Sequence, residues 1–198
     1  MPTYQFLRKL ILNKVHQPSL VKKLGESGET MQKTVTTNSK VKAITMNGIV
    51  MALYLGLTIL VAPVSSGPVQ FRISESLNHL VVFNRKLMWG VLGGVVVYNF
   101  FFGFGAIDAL YGGLQSFISL GLTALLHKRV PNVIARLALN TVFFTATMCI
   151  IAFMLAPNGG AAFWGNYVTL ALSEFATMAV AAPVMYWINK SVHFEKRL

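Results

Sequence analysis

Three carboxylate side chains stand within the apolar part of this 198-residue chain. Glu75, Asp108 and Glu174 lie in or at the rim of hydrophobic segments, where an ionisable group costs about 2.5–3.5 kcal/mol at the centre of a membrane span. Such an acid faces protein, a cavity or a partner and is a candidate functional residue; for each acid taken singly, a helix-packing hydrogen bond is the alternative. Polar side chains from other segments accompany the acids: Arg72, Asn99, Gln115 and Asn140.

The composition predicts that membrane-spanning helices position these residues. Hydrophobic residues make up 55% of the chain and charged residues 12%, about half the charged share of a soluble domain. This composition argues against a soluble enzyme and against a nucleic-acid-binding module. Because Cys149 is the one cysteine, the sequence also argues against a secreted disulfide scaffold. We predict an all-α integral membrane protein, a bundle of six transmembrane helices with a short second helix. The predicted segments are Ala43–Ala62, 70–83, Leu87–Phe104, Ile107–His127, Val133–Ala156 and Tyr167–Asn189.

The distribution of Lys and Arg predicts the orientation. Residues 1–42 hold eight Lys and Arg against two Glu, a net charge of +6, and alternate turns are basic. By the positive-inside rule both termini are cytoplasmic, with a membrane domain over 43–189 and a basic cytoplasmic tail over 190–198. Within the N-terminal tail we expect an amphipathic surface helix around Leu7–Val15 and a flexible linker over Gly25–Lys40. Pro63 is expected to end the first span.

Helix geometry then places the polar side chains at similar depths. At a rise of ~1.5 Å per residue, Asn99 lies about 18 Å above the cytoplasmic start of its span. Gln115 lies about 12 Å below the outer end of its span, and Glu174 about 11 Å below the outer end of the last span. Asn140, ~10 Å from its cytoplasmic start, is the member nearest the cytoplasm. Polar residues from five helices at similar depth indicate a polar pocket that opens outward.

The side chains of this pocket favour a planar heterocycle that bears an amine. Carboxylates accept hydrogen bonds from N–H groups, amides both donate and accept, and Arg72 is the one cation, so phosphates and carboxylates fit poorly. Aromatic residues gather at the same outer end, and an interfacial belt explains most of them. Trp164 is the exception that we expect to stack on a ligand. The aromatic residues are Tyr98, Phe102, Phe163, Trp164 and Tyr167.

A stripe of small residues on the first span marks a possible contact with another helix. Gly48, Ala52 and Gly56 are spaced four apart and share one helix face, which lets a second helix approach closely; packing within the same chain is the alternative. The sequence contains no nucleotide-binding GxxxxGK[ST], no HExxH and no GxSxG motif. We therefore expect no enzyme activity, no metal and no cofactor, and energy from ATP only through partner subunits.

Several of these residues together resemble the QueT family. The similar segments are QFRISESL (Gln70–Leu77), Asn99 at the end of a Gly-rich span, IDALYGGLQSFISLGLTALL (Ile107–Leu126), Asn140 and Ser173-Glu174. The resemblance implies a substrate-binding S component of an energy-coupling factor (ECF) transporter in the bacterial cell membrane. Its ligand would be a queuosine precursor, a 7-deazaguanine such as 7-aminomethyl-7-deazaguanine or queuine. Its partners would be an ECF module of one transmembrane T subunit and two ATPases, with no nucleic acid.

The resemblance also implies roles for individual residues. The implied T-subunit contact is the stripe of Gly48, Ala52 and Gly56. Two departures from the family stand out: Ser173 replaces its usual Gly, and the start is longer, so that Met31 is an alternative first residue. The implied pocket residues are Glu75, Asn99, Asp108, Asn140 and Glu174, together with Arg72 and Trp164.

Other functions stay open on the sequence alone. An S component for another vitamin or amine-bearing ring has the same pocket chemistry. An integral membrane enzyme would use Glu75, Asp108 and Glu174 as acid–base groups, although the chain lacks a recognisable nucleophile. A structural membrane scaffold would gain nothing from buried acids.

Overall fold

In the residues that its computed structural model describes, 18–65 and 72–196, the protein consists of helices joined by short turns, and these ranges contain no strand. Short 3₁₀ segments lie at Ile73–His79, Arg85–Leu87 and Phe194–Lys196. The α-helices are α1 (Pro18–Ser65), α2 (Leu80–Phe83), α3 (Met88–Phe102), α4 (Ala106–Leu126), α5 (Val133–Leu155) and α6 (Gly160–Val192).

The N-terminal part differs from the prediction. The chain divides into two compact units, Met1–Lys42 and Ala43–Leu198. The flexible linker expected over Gly25–Lys40 is wrong, because α1 continues through it. Apart from two glycines the stretch holds residues that a helix tolerates and no proline, so its polarity alone does not break the helix. The amphipathic helix expected around Leu7–Val15 lies outside the described residues.

Within the second unit, one face of helix α1 is buried. Val50, Tyr54 and Thr58 follow one another at intervals of four residues and are buried. This interval keeps them on one side of the helix, which packs on the core. The helix ends at Ser65, two residues beyond Pro63, so the expected stop at the proline is slightly early.

The short segment between α1 and α3 is buried in protein. From Ser74 to Asn84 only Ser76 is not buried. Its first part, Ile73–His79, is a 3₁₀ helix, in which side chains three residues apart lie directly above one another. Because Glu75 and Asn78 have this spacing, their side chains meet, and the segment carries polar groups into the interior.

Within the described part of the chain, four helical stretches are long and apolar enough to cross a membrane. Helix α3 has 15 residues, about 22 Å, less than the ~30 Å of a bilayer core. Helix α6 begins seven residues before the predicted Tyr167, because the preceding turn closes at Gly159 and Gly160, both with positive φ. The four stretches are Ser39–Val61, Ala106–Leu126, Val133–Leu155 and Gly160–Val192.

Consecutive helices pack as neighbours, and the short segment is enclosed among them. Helix α4 packs against α3 and α5, α5 packs against α6, and Ile73–His79 packs against α6. Close packing of α3 on α1 depends on Gly94, where a Cβ atom would lie 2.7 Å from Cβ of Tyr54. These contacts bring the polar residues of different helices to one place.

Candidate substrate-binding site

A polar cavity of about 60 Å³ lies among the helices. It gathers six of the eight predicted site residues, from Ile73–His79 and its flank, α3, α4 and α6, so the polar residues of separate elements do share one cavity. Helix α5 supplies apolar side chains to it, among them Met148, Ile151 and Met154. The six predicted residues that line this polar cavity are Arg72, Glu75, Asn99, Asp108, Gln115 and Glu174.

Glu75 is held by hydrogen bonds on both of its carboxylate oxygens. The Tyr54 hydroxyl donates to Oε1 at 2.9 Å, and the Asn78 amide donates to Oε2 at 2.5 Å. All three residues are buried. A carboxylate fixed in this way is oriented before any ligand arrives.

Glu174 presents the opposite situation in the same cavity. It lies on α6, is 5% exposed, and its Oε1 atom has no hydrogen-bond partner among the described residues. A buried polar atom without a partner costs about 1–3 kcal/mol. Because Glu174 lines the polar cavity, its free oxygen is available to a donor that enters there.

Asn99 links the ends of α3 and α4 across the cavity. Its amide oxygen accepts a hydrogen bond from Arg72 Nη1 at 3.5 Å, and its Nδ2 donates to the Asp108 carbonyl at 3.3 Å. A Cβ atom at Gly112 would overlap this Nδ2 atom, so the glycine makes room for the amide. The Arg72 guanidinium also lies 5.9 Å from the ring centroid of Tyr98, within the range of a cation–π contact.

Asp108 has a local structural contact as well as a place in the cavity. Its Oδ2 atom accepts a hydrogen bond from the Phe104 backbone N–H at 3.3 Å. This closes the turn between α3 and α4, in which Gly105 has φ +74°. Asp108 therefore fixes the turn while its side chain borders the polar cavity.

Gln115 lies where the polar cavity borders the contact between α4 and α5. Its Nε2 donates to Thr147 Oγ1 at 3.2 Å, and its Oε1 accepts from Ser116 at 3.1 Å. The hydroxyls of Ser119 and Thr147 lie 2.7 Å apart. A row of hydrogen bonds thus joins the two helices beside the cavity.

Asn140 does not line the polar cavity, and it lies about two turns before Met148 on α5. Its Oδ1 accepts from Thr123 at 2.6 Å, and its Nδ2 lies 3.1 Å from His79 Nδ1. His79 Nε2 lies 3.0 Å from the Met178 carbonyl, which can only accept. Nε2 therefore carries the proton and Nδ1 accepts from the amide, so that all three side chains are satisfied.

Trp164 is the second predicted residue that the structure does not bring to the cavity. It is 62% exposed near the start of α6 and packs edge-on against Phe163 and Tyr167. Of the outer aromatic residues, Tyr98 is buried and stacks on Phe102 with 5.5 Å between ring centroids.

Sequence reasoning missed the residues that support the cavity. Tyr54 and Asn78 hold Glu75, and Thr147 holds Gln115. The position of Tyr54 four residues from Val50 and Thr58 is a usable signal, because it places a hydroxyl on the inward face of α1. Nothing in the sequence indicated that the methionines of α5 would line the cavity.

The small-residue stripe on α1 is open on its outer side. Gly48, Ala52 and Gly56 are exposed, and a Cβ atom at either glycine would have no neighbour within 4 Å in the described part of the chain. The alternative of packing within the same chain is therefore not supported. Gly94 and Gly112, in contrast, lie against Tyr54 and Asn99 of the same chain.

The charges of the polar cavity favour a ligand rich in donors. Three carboxylates and one guanidinium line it, a formal charge of −2 if all are ionised. A polar cavity buried among helices long enough to cross a membrane defines a multi-pass membrane protein suited to a small polar solute.

Comparison with known proteins agrees with this class. A profile of the QueT transporter family matches residues 44–190. The queuosine precursor transporter QueT of Lactococcus lactis subsp. cremoris (strain MG1363) is 34% identical over 167 residues, which cover 80% of this chain and 98% of that protein. No solved structure matches the chain.

The chain belongs to the QueT transporter family. It is a multi-pass transporter of the bacterial cell membrane, and the resemblance found in its sequence is confirmed. Family and relative are transporters, which fits the expectation that the chain is not an enzyme.

Proposed function

We propose that this chain is the S component of an ECF importer and binds a queuosine precursor with a 7-deazaguanine ring in the polar cavity. The observation that carries the proposal is the buried Oε1 of Glu174, which has no partner among the described residues, beside a Glu75 whose two oxygens are already bonded. The name of the Lactococcus relative supports the ligand class.

In this proposal the two glutamates have different tasks. Glu174 accepts a hydrogen bond from a ligand N–H or ammonium group, which satisfies its free oxygen. Glu75, held by Tyr54 and Asn78, contributes a fixed negative charge beside it. Arg72 and Asn99 provide donors for the ring carbonyl. Asp108 and Gln115 border the ring, while Asn140 supports the site through its contacts with Thr123 and His79.

The cavity has to widen to admit a bicyclic base. Its volume of about 60 Å³ is below the ~300 Å³ at which typical ligand pockets begin. Met148 and Met154 line it, and an unbranched side chain with three rotatable bonds changes shape at low cost. We infer that rotation of these side chains accompanies binding.

The remaining parts of the proposal concern topology and partners. Six crossings with both termini in the cytoplasm agree with the distribution of Lys and Arg, with basic tails over 1–42 and 190–198. The open stripe of Gly48, Ala52 and Gly56 suits close approach of a helix of the T subunit. The two ATPases of the ECF module would supply the energy.

A binding measurement tests the ligand assignment. The purified full chain should bind 7-aminomethyl-7-deazaguanine saturably, with about one ligand per chain and without chemical change. Glu174→Gln should weaken binding about 10- to 100-fold, because a hydrogen bond to a charged group contributes about 1.5–3 kcal/mol. Glu195→Gln, at an exposed site in the C-terminal 3₁₀ segment, is the matched control and should bind normally.

Other outcomes contradict the proposal in distinguishable ways. Equal affinity of Glu174→Gln and the wild type would remove Glu174 from the site. Conversion of the ligand would indicate an enzyme, and preference for an unrelated ring would indicate another substrate.

Co-purification tests the partner assignment. Ala52→Leu should reduce recovery of the chain with a T subunit and its ATPases, because the larger side chain fills the open stripe. Ala176→Leu, at an exposed alanine of α6, is the control. Equal recovery of both variants would contradict the stripe as the contact.

A further inference from the structure

A second, larger depression lies on the outside of the helices, between α5 and α6. This α5–α6 groove has a volume of about 440 Å³ and is independent of the proposed ligand site. Its side chains are almost all apolar, and small residues and a proline leave the space open. They include Leu137, Ala138, Phe175, Ala179, Pro183 and Tyr186.

The groove offers almost no hydrogen-bonding groups to an occupant. The one hydroxyl among its α5 residues belongs to Thr141, and its Oγ1 already donates to the Leu137 carbonyl at 3.1 Å. On α6 the Tyr186 hydroxyl lies at one end of the lining, so a polar occupant would lose its own hydrogen bonds to water and regain at most that one along the groove. The occupant of the groove is apolar along this length.

The length of the groove matches one leaflet of a bilayer. On α5 it extends from Ile134 to Val142, about 12 Å, and on α6 from Phe175 to Tyr186, about 16 Å. Half of a ~30 Å hydrocarbon core is about 15 Å. A helix ~10 Å across and of this length would fill about 1,100 Å³, so the groove suits a slimmer molecule.

One end of the groove carries a positive charge. Lys190 lies one turn beyond Tyr186, and its Nζ is 4.9 Å from the Tyr186 ring centroid and 4.7 Å from that of Trp187. Among the described residues Lys190 forms no salt bridge with an acidic side chain. Helix α5 starts at the same end, just after Lys128 and Arg129, which are both exposed. An anionic headgroup would find a cation there held by two aromatic rings.

We propose that the α5–α6 groove binds one acyl chain of an anionic phospholipid, with the lipid phosphate at Lys190. The apolar walls hold the chain, and the charge at the end selects the headgroup. A bound lipid would also fill the space that the small residues leave between the two helices.

Lipid binding is measured by native mass spectrometry of the purified full chain. The chain is mixed with phosphatidylglycerol or with phosphatidylcholine of the same acyl chains. The wild type should retain one phosphatidylglycerol in preference to phosphatidylcholine. Lys190→Gln should weaken this binding about fivefold, the effect expected of one Lys at a membrane surface. Ala179→Phe, which fills the groove, should abolish it.

Two matched variants serve as controls. Lys86→Gln removes an exposed positive charge away from the groove, and Val180→Phe places the same ring at an exposed position that does not line it. Both should bind phosphatidylglycerol as the wild type does. If Ala179→Phe fails to fold, the binding of phosphatidylglycerol to Lys190→Gln tests the proposal, because this variant leaves the walls of the groove unchanged.

Two results would overturn the proposal. The first is equal retention of both lipids with no effect of Lys190→Gln, which would mean unselective annular lipid. The second is a dimer that Ala179→Phe converts to a monomer, because a second copy of the chain would then occupy the groove.

Discussion

The contact between Gly112 and Asn99 gives the sharpest test of the structure. In Gly112→Ala the new Cβ atom would overlap Asn99 Nδ2. Asn99 is 2% exposed, so the space open to its amide is the polar cavity that it lines. It has to leave its present position and lose the hydrogen bond to the Asp108 carbonyl.

The size of the effect follows from these contacts. A buried amide donor without a partner costs about 1–3 kcal/mol. Replacing a helical glycine by alanine otherwise gains about 0.5–1 kcal/mol. Gly121→Ala on the same helix isolates this gain, because a Cβ atom there has no neighbour within 4 Å in the described residues. The two variants should therefore differ by about 1–3 kcal/mol, which is the steric cost alone.

Thermal unfolding of the purified proteins in one detergent measures this difference. For a chain of this length about 2–4 °C correspond to 1 kcal/mol, so Gly112→Ala should melt roughly 2–12 °C below Gly121→Ala. Ligand affinity should also fall in Gly112→Ala, since Asn99 lines the polar cavity. Equal melting temperatures of the two variants would refute the reasoning.

Two further predictions concern Tyr54 and His127. Tyr54→Phe removes the donor to Glu75 Oε1 and should lower the free energy of unfolding by about 1–3 kcal/mol. Tyr111→Phe, whose hydroxyl has no hydrogen bond among the described residues, should not; equal effects would contradict the role of the hydroxyl. At the end of α4, burial and the Arg136 guanidinium lower the pKa of His127. As the pH falls, the unfolded chain therefore takes up a proton at His127 before the folded chain does. The free energy of unfolding should then decrease as the pH drops through about 6.5 and below. His127→Gln should lose less stability between pH 7.5 and 5.5 in thermal unfolding, and an unchanged loss would exclude the residue.

The limits of α4 and α5 were predictable from the sequence to within one residue. The hydrophobic runs there are bounded by clear signals, and Asn132 caps α5 by accepting hydrogen bonds from Ile134 and Ala135 N–H. The start of α6 and the polar part of α1 were not predictable in this way. In both, a polar or Gly-containing stretch continues as helix, and helix propensity is a weak guide there.

Depth along the helices predicted most of the site, but it misplaced Asn140, and it gave no direction for Trp164. Glu75, Asp108 and Glu174 do reach one cavity, as their positions in the spans predicted. Asn140 lies eight residues before Met148 on α5, about 12 Å further from the cavity. Trp164 precedes Leu170 by six residues, about 240° around the helix, and therefore faces away.

The 3₁₀ winding of Ile73–His79 has a consequence for how the transporter responds to changes in this segment. Rewinding its seven residues as an α-helix would shorten it by about 3.5 Å and rotate Glu75 against His79 by about 80°. Glu75 is anchored to Tyr54 above, and His79 to Asn140 and Met178 below. The two anchors thus stabilise a 3₁₀ helix, whose own hydrogen bonds have poorer geometry than those of an α-helix. Loss of either anchor would permit uncoiling, and the disturbance would reach the other anchor too.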